Sequence, residues 1–223
     1  MSPAAVTYRP IAGAKIKDHI MNTATTTPVS ERDIFLQQLR EGTSYWHQQL
    51  EDLEPSKAIL GEAVSREQYT HYLKTMYGFV RPFETIVYPQ LSLLIPDIED
   101  RRKTALLEKD LELLGLAKPE IAQIPLCPIP ADLQAAQAMG RMYVIEGSTL
   151  GGAVIYKHIH KILGIDAESG AAYFQPYGQQ AGTYWKAFVN NMAAFALEQK
   201  KEQELIVAAT ETFREIHDWF LHS

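Results

Sequence analysis

Two groups of residues in this sequence have the types and spacing to do chemistry. The first lies in L-R-E-G-T-S-Y-W-H-Q-Q-L-E (39–51), where Arg40, His47 and Glu51 share one helical stretch. The apolar face of that stretch is built by Phe35, Leu39, Trp46, Leu50 and Leu53, and His47 sits at its edge. Arg40 is two turns earlier on nearly the same side, about 10 Å along the axis. Glu51 is one turn later, placed to accept a hydrogen bond from a ring nitrogen and so orient the imidazole. The second group is Gly147, Gly151 and Gly152 in Y-V-I-E-G-S-T-L-G-G (143–152), with apolar helical sequence on both sides. A glycine inside a helix costs roughly 1 kcal/mol relative to alanine. What it offers in return is a backbone that can approach something closely, or bend.

Seven histidines are present, and only His47 combines a long amphipathic helix with such a setting. An imidazole at the border of an apolar face, with a cation two turns away, suits a flat hydrophobic macrocycle that carries a central metal and peripheral carboxylates. That description is haem: the imidazole ligates iron and the guanidinium pairs a propionate. The same residues also read as plain structure, with an edge histidine, a solvated arginine and a glycine pair at a tight helix crossing. Spacing alone leaves both readings open.

The elements that must position these groups are helical nearly throughout. Ser30 and Asp33 stand at capping-box spacing ahead of the first helix, which ends before Pro55. A second helix begins after Ser65 and runs through Tyr69, Tyr72, Leu73, Met76 and Phe79, with Pro82 and Pro89 bending or ending its continuation. A third is expected over about 99–115, stopped by Gly115. I-P-L-C-P-I-P (124–130) is a loop, the glycine-bearing helix covers about 131–163, and two more follow at about 179–198 and 201–221. No strand alternation, fixed repeat or dividing linker is visible, so the expectation is a single all-α domain over 30–223 preceded by a flexible N-terminal extension, 1–29.

Composition narrows the function. A formal net charge of −6 argues against a general nucleic-acid binder, which needs a basic surface. A single cysteine, Cys127, excludes an internal disulfide framework and a cysteine-cluster metal site. No apolar stretch approaches the length of a membrane span, and the N-terminus lacks the apolar run of a secretory signal. The expectation is a cytoplasmic protein that binds neither nucleic acid nor membrane.

Together these motifs resemble the haem oxygenases, particularly the bacterial, biliverdin-producing branch. Segment 39–51 resembles the family's proximal helix and 143–152 its distal helix. Further similarity lies in Y-L-K-T-M-Y-G-F-V-R-P-F-E (72–84), D-L-E-L-L-G (110–115) and Y-G-Q-Q-A-G-T-Y-W-K-A-F (177–188). The resemblance spans roughly 33–221. It implies a single-domain multi-helix bundle in which haem is sandwiched between the proximal helix and a glycine-kinked distal helix. It also implies that His47 is the iron ligand, that Arg40 contacts a propionate, that Glu51 orients His47, and that Thr43 belongs to the proximal motif. Gly147, Gly151 and Gly152 would bring the distal backbone over the haem face, with Ser148 contributing to the distal water. Tyr143 would lie at the propionate or the pocket rim, and Lys186 is a second candidate cation.

The resemblance implies haem as both substrate and prosthetic group, O2 as cosubstrate, and cleavage at a meso carbon to biliverdin, CO and ferrous iron. No flavin, nucleotide or iron–sulfur motif is visible, so an external electron donor is implied, a ferredoxin or a flavin reductase. A bilin-binding photoreceptor is compatible as product acceptor. Two departures stand out: Gly42 replaces the alanine usual in the proximal helix, and Ser148–Thr149 stand where the mammalian branch has an aspartate. Three rivals remain: a haem carrier or sensor that does not degrade its ligand, a haem-free enzyme of similar architecture, and a scaffold protein whose glycines merely allow helix crossing. A di-iron carboxylate enzyme is disfavoured because the chain has no Glu-x-x-His segment.

Overall fold

A computed structural model describes residues 29–223, so the extension expected at the N-terminus lies, except for Val29, outside the described residues. Among the described residues the regular structure is entirely helical. The elements are α1 (Glu31–Asp52), α2 (Glu54–Ala58), α3 (Arg66–Ile86), α4 (Tyr88–Leu91), α5 (Thr104–Leu113), α6 (Lys118–Ile121), α7 (Ala135–Leu163), α8 (Ala181–Gln199) and α9 (Glu202–Leu221), with short 3-10 turns between some of them. No helix is long and apolar enough to cross a membrane.

The caps follow local chemistry. Ser30 Oγ accepts the Asp33 N–H at 3.1 Å, and Ser65 exchanges hydrogen bonds with Gln68 in a full capping box. Gly115, at φ 106°, closes α5 in the left-handed conformation expected of it. Pro82 does not end α3. It has no N–H to give to the Gly78 carbonyl one turn back, and Cys127 N–H fills that vacancy from the 124–130 loop at 2.8 Å. The proline therefore creates the acceptor that docks the loop.

The third helix departs from expectation. Glu99–Arg101 form one 3-10 turn, Arg102 is extended (φ −69°, ψ 135°), and α5 starts only at Thr104. The break lets the side chains of Arg101 and Lys103 turn inward, where they are 0% and 1% exposed. Glu84, itself buried, accepts from Thr104 N–H and Oγ1 and anchors the new start. The distal helix begins at Ala135 rather than 131, where Gln137 Oε1 accepts the Gln134 N–H.

Helix α9 is the central packing element, lying against α1 and α7. Each crossing rests on a glycine. A Cβ on Gly42 would sit 2.8 Å from Ile206 Cγ2, and one on Gly140 would sit 2.3 Å from the Leu205 carbonyl. Gly42 thus brings α1 close to α9, where Thr210 Oγ1 donates to its carbonyl. Arg141 clamps α7 to α9 through a two-point ion pair with Glu215, at 2.6 and 2.8 Å. One hydrophobic core joins α1, α3, α7, α8 and α9 through residues such as Leu39, Phe83, Met139, Phe188 and Phe213. A second, around Tyr69, Leu73, Leu111, Ile159 and Phe174, packs the other end of α3 and α7 on α5.

Candidate functional site

Between α1, α7 and α9 lies a cavity of about 330 Å³, inside the roughly 300–1,000 Å³ range of small-molecule sites. His47, Leu50 and Glu51 of α1 line it on one side, and Tyr143, Gly147, Ser148 and Gly151 of α7 on the other. Tyr72 and Met76 of α3, Trp185 of α8, and Phe213, Ile216 and Phe220 of α9 close it with aromatic and aliphatic surface. His47 and Glu51, and Gly147 and Gly151 about 100 positions later, therefore face one space.

His47 is half open, with 53% of its side chain exposed. Its ring meets the edge of Phe213, centroid to centroid 5.3 Å at 79°. Nδ1 stands 3.7 Å from Glu51 Oε1, within ion-pair range but too long for a hydrogen bond. Neither ring nitrogen makes a hydrogen bond to another described residue, so Nε2 is free for a ligand. An imidazole with one unengaged nitrogen and a carboxylate near the other is the donor set that suits an iron porphyrin. The apolar walls suit its macrocycle.

The three distal glycines do different things. A Cβ on Gly151 would meet nothing within 4 Å, and one on Gly147 would make only ordinary contact with Trp185, at 3.5 Å. A Cβ on Gly152, by contrast, would come within 2.7 Å of the Phe174 carbonyl. Gly152 is buried and faces that backbone, not the His47 cavity, so the structure gives it a packing role instead of the expected haem contact. The tight crossing of α7 falls at Gly140, which the sequence reading did not single out. No protein neighbour requires a glycine at 147 or 151. The helix nevertheless runs through them without a break.

The remaining expected residues divide in the same way. Ser148 lines the cavity, with its hydroxyl donating to the Ile145 carbonyl at 2.8 Å. Tyr143 lies half-buried against Trp185, ring centroids 5.5 Å apart. Burial pushes the Tyr143 phenol up, opposed by the Arg40 guanidinium and the Thr43 hydroxyl beside it. Arg40 is exposed and stands at the rim near Tyr143, outside the cavity wall. Thr43 is buried and donates to the Leu39 carbonyl at 2.8 Å, which makes it a helix-packing residue. Lys186 is exposed and does not line the cavity; its neighbour Trp185 does.

Behind the glycines is a cluster that the sequence reading missed. Glu146, 1% exposed, pairs with Arg101 and with Lys103 Nζ, the latter at 2.7 Å. Tyr177 OH donates to the same carboxylate at 2.9 Å. Burial pulls the Lys103 ammonium down, against the neighbouring Glu146 charge that holds it up. Burial, and then the Glu146 carboxylate, push the Tyr177 phenol far above its usual range. These groups tie the distal helix, immediately before Gly147, to the Glu99–Arg101 turn. The sequence signal was the unbroken R-R-K run at 101–103, which reads as a solvated helix start unless its buried partner is known.

Comparison with known proteins agrees with the helical fold. The family model described as Heme oxygenase matches residues 33–222. "Heme oxygenase PigA" of Pseudomonas aeruginosa is 30% identical over 197 residues, covering 87% of this chain and 96% of that protein. Among solved structures, haem oxygenase from Neisseria meningitidis superposes with a TM-score of 0.62 at 28% identity, over 83% of this chain and 92% of the other. Haem oxygenase from Leptospira interrogans superposes with a TM-score of 0.68, over 85% of this chain and 99% of the other, at 17% identity that speaks for the fold alone. The helical frame, the cavity between His47 and the open glycines, and the match along nearly the whole described chain place this protein in the haem oxygenase family of oxidoreductases.

Proposed function

We propose that the protein binds haem in the His47 cavity and opens it at a meso carbon with O2 and external electrons, yielding biliverdin, CO and ferrous iron. The observation that carries this reading is the pair Gly147 and Gly151. Each lies in a helix interior where glycine costs roughly 1 kcal/mol, each faces the cavity opposite His47, and neither is required by a protein neighbour. A close-lying flat ligand accounts for both. When bound, haem supplies the iron at which O2 is activated. The chain's own residues hold and shape that chemistry. His47 Nε2 is the protein's ligand, Glu51 sets the imidazole's orientation, and the side chains of Phe213, Ile216 and Trp185 keep water from the ring faces. Bare backbone at 147 and 151 leaves room for O2 and walls it towards the macrocycle edge, and Ser148 Oγ keeps lone pairs to hold a distal water. Arg40 and Tyr143 at the rim suit the propionates. The electron donor is a separate protein, a ferredoxin or a flavin reductase, and a bilin-binding photoreceptor is a fitting acceptor of the product. Residues 30–223 act as the haem-degrading domain, and the working compartment is the cytoplasm.

The test is absorption spectroscopy of the haemin-loaded protein given a reductant and then O2. Decay of the Soret band as a broad red bilin band grows supports the reading, and a Soret band that persists would instead indicate a haem carrier or sensor. His47→Ala should lose nearly all turnover while far-ultraviolet circular dichroism stays unchanged. Undiminished turnover in that variant would remove His47 from the role given to it.

A further inference from the structure

A second cavity, about 440 Å³, opens on the side of α3 and α9 that faces away from the haem site. The two helices divide their faces between the cavities. Tyr72, Met76 and Phe220 line the first, and Lys74, Thr75 and Trp219 line the second. Leu116, Ile124 and Pro125 supply an apolar wall opposite. The floor is tightly built: a Cβ on Gly78 would fall 2.5 Å from the Pro125 carbonyl and 2.7 Å from the Trp219 ring. Trp219 Nε1 is held by the Thr75 carbonyl at 2.9 Å.

Among the polar groups facing this space without partners are two neighbours on α3, Lys74 and Thr75. Thr75 is 5% exposed, and its hydroxyl makes no hydrogen bond to any described residue but stays open to the cavity. Thr43, Thr70, Thr85, Thr210 and Thr212 each turn theirs onto a carbonyl one turn back. A hydroxyl left facing the cavity in this way can donate to a ligand atom. Beside it, half-buried Lys74 forms no ion pair with any described residue. The carboxylate of Glu120, also on the wall, already accepts the Ala117 N–H at 2.8 Å.

We propose that this cavity is a second binding site, for a small carboxylic acid with an apolar body. Its carboxylate receives hydrogen bonds from Lys74 Nζ and the Thr75 hydroxyl, and the body rests on Trp219, Leu116 and Ile124. Charge assistance makes such a contact roughly twice as strong as a neutral one, so the anion is preferred over a neutral molecule of the same shape.

The test is isothermal titration calorimetry of the full chain, loaded with haemin, using 2-naphthoate as probe and 2-naphthamide as its neutral counterpart. One site per chain is expected, with the amide bound about tenfold more weakly. Lys74→Met keeps the aliphatic stem and Thr75→Val keeps the shape. Each should weaken naphthoate about tenfold while haem turnover stays at the wild-type rate. No saturable heat, equal affinity for acid and amide, or unchanged affinity in both variants would overturn the proposal. So would naphthoate binding that disappears once haemin is bound, since that places it in the first cavity.

Discussion

At the residue scale, the glycines of α7 differ in what surrounds them although the sequence presents them alike. Gly140 and Gly152 answer to backbone within 2.7 Å of where a Cβ would stand, whereas Gly151 answers to no protein atom. A methyl at 151 therefore does opposite things to the empty and the loaded protein. Gly151→Ala should raise the stability of the haem-free chain by up to about 1 kcal/mol through helix propensity, read as a higher urea midpoint. The same substitution should weaken haemin binding and slow turnover. A variant gaining stability with haem affinity and rate intact would show that nothing lies close to that backbone. His47 and Glu51 were legible as a pair from their spacing, because i and i+4 share a helix face.

At the scale of elements, the distal helix is held from behind by charge. Glu146 is the one carboxylate shared by Arg101, Lys103 and Tyr177. Removing its charge leaves buried cations undercompensated, a loss of about 3–5 kcal/mol where a buried pair is broken. Glu146→Gln should lower the urea midpoint accordingly and also loosen the segment before Gly147, seen as faster amide exchange there than in α9. The 124–130 loop gives a separate check. Burial pushes the Cys127 thiol up to about 11. At pH 8 its thiolate is about a thousandfold scarce, and alkylation should rise about tenfold per pH unit up to that value. Fast alkylation at pH 8 in the folded protein would mean that the Cys127–Gly78 contact opens readily.

At the scale of the whole molecule, the cavity joins residues from α1, α3, α7, α8 and α9, so a ligand held there would touch five helices at once. Ligand that binds only the folded state stabilises it by about 4 kcal/mol at a thousandfold excess over Kd. For a domain of this size that is a rise in Tm of roughly 8–16 °C with haemin. His47→Ala should lose a large part of that rise. An unchanged Tm on adding haemin to the wild-type chain would argue against binding in the folded cavity.

The sequence by itself determined the helical class, the starts of α1 and α3 at Ser30 and Ser65, and the two motifs that face each other. These are local properties, set by periodicity and by hydrogen bonds spanning three or four residues. It also carried the resemblance that names the proximal and distal helices. Only the tertiary structure decided which glycine serves the cavity and which serves packing, because a missing Cβ is informative only once its neighbour is known. The inward turn of Arg101 and Lys103 was likewise hidden: their partner Glu146 is more than 40 residues away, and a charged run with an unknown partner reads as solvated surface. Nothing in the sequence marks Trp185, Phe213 and Phe220 as cavity lining, because a core wall differs from a cavity wall only by what the opposite helix leaves empty.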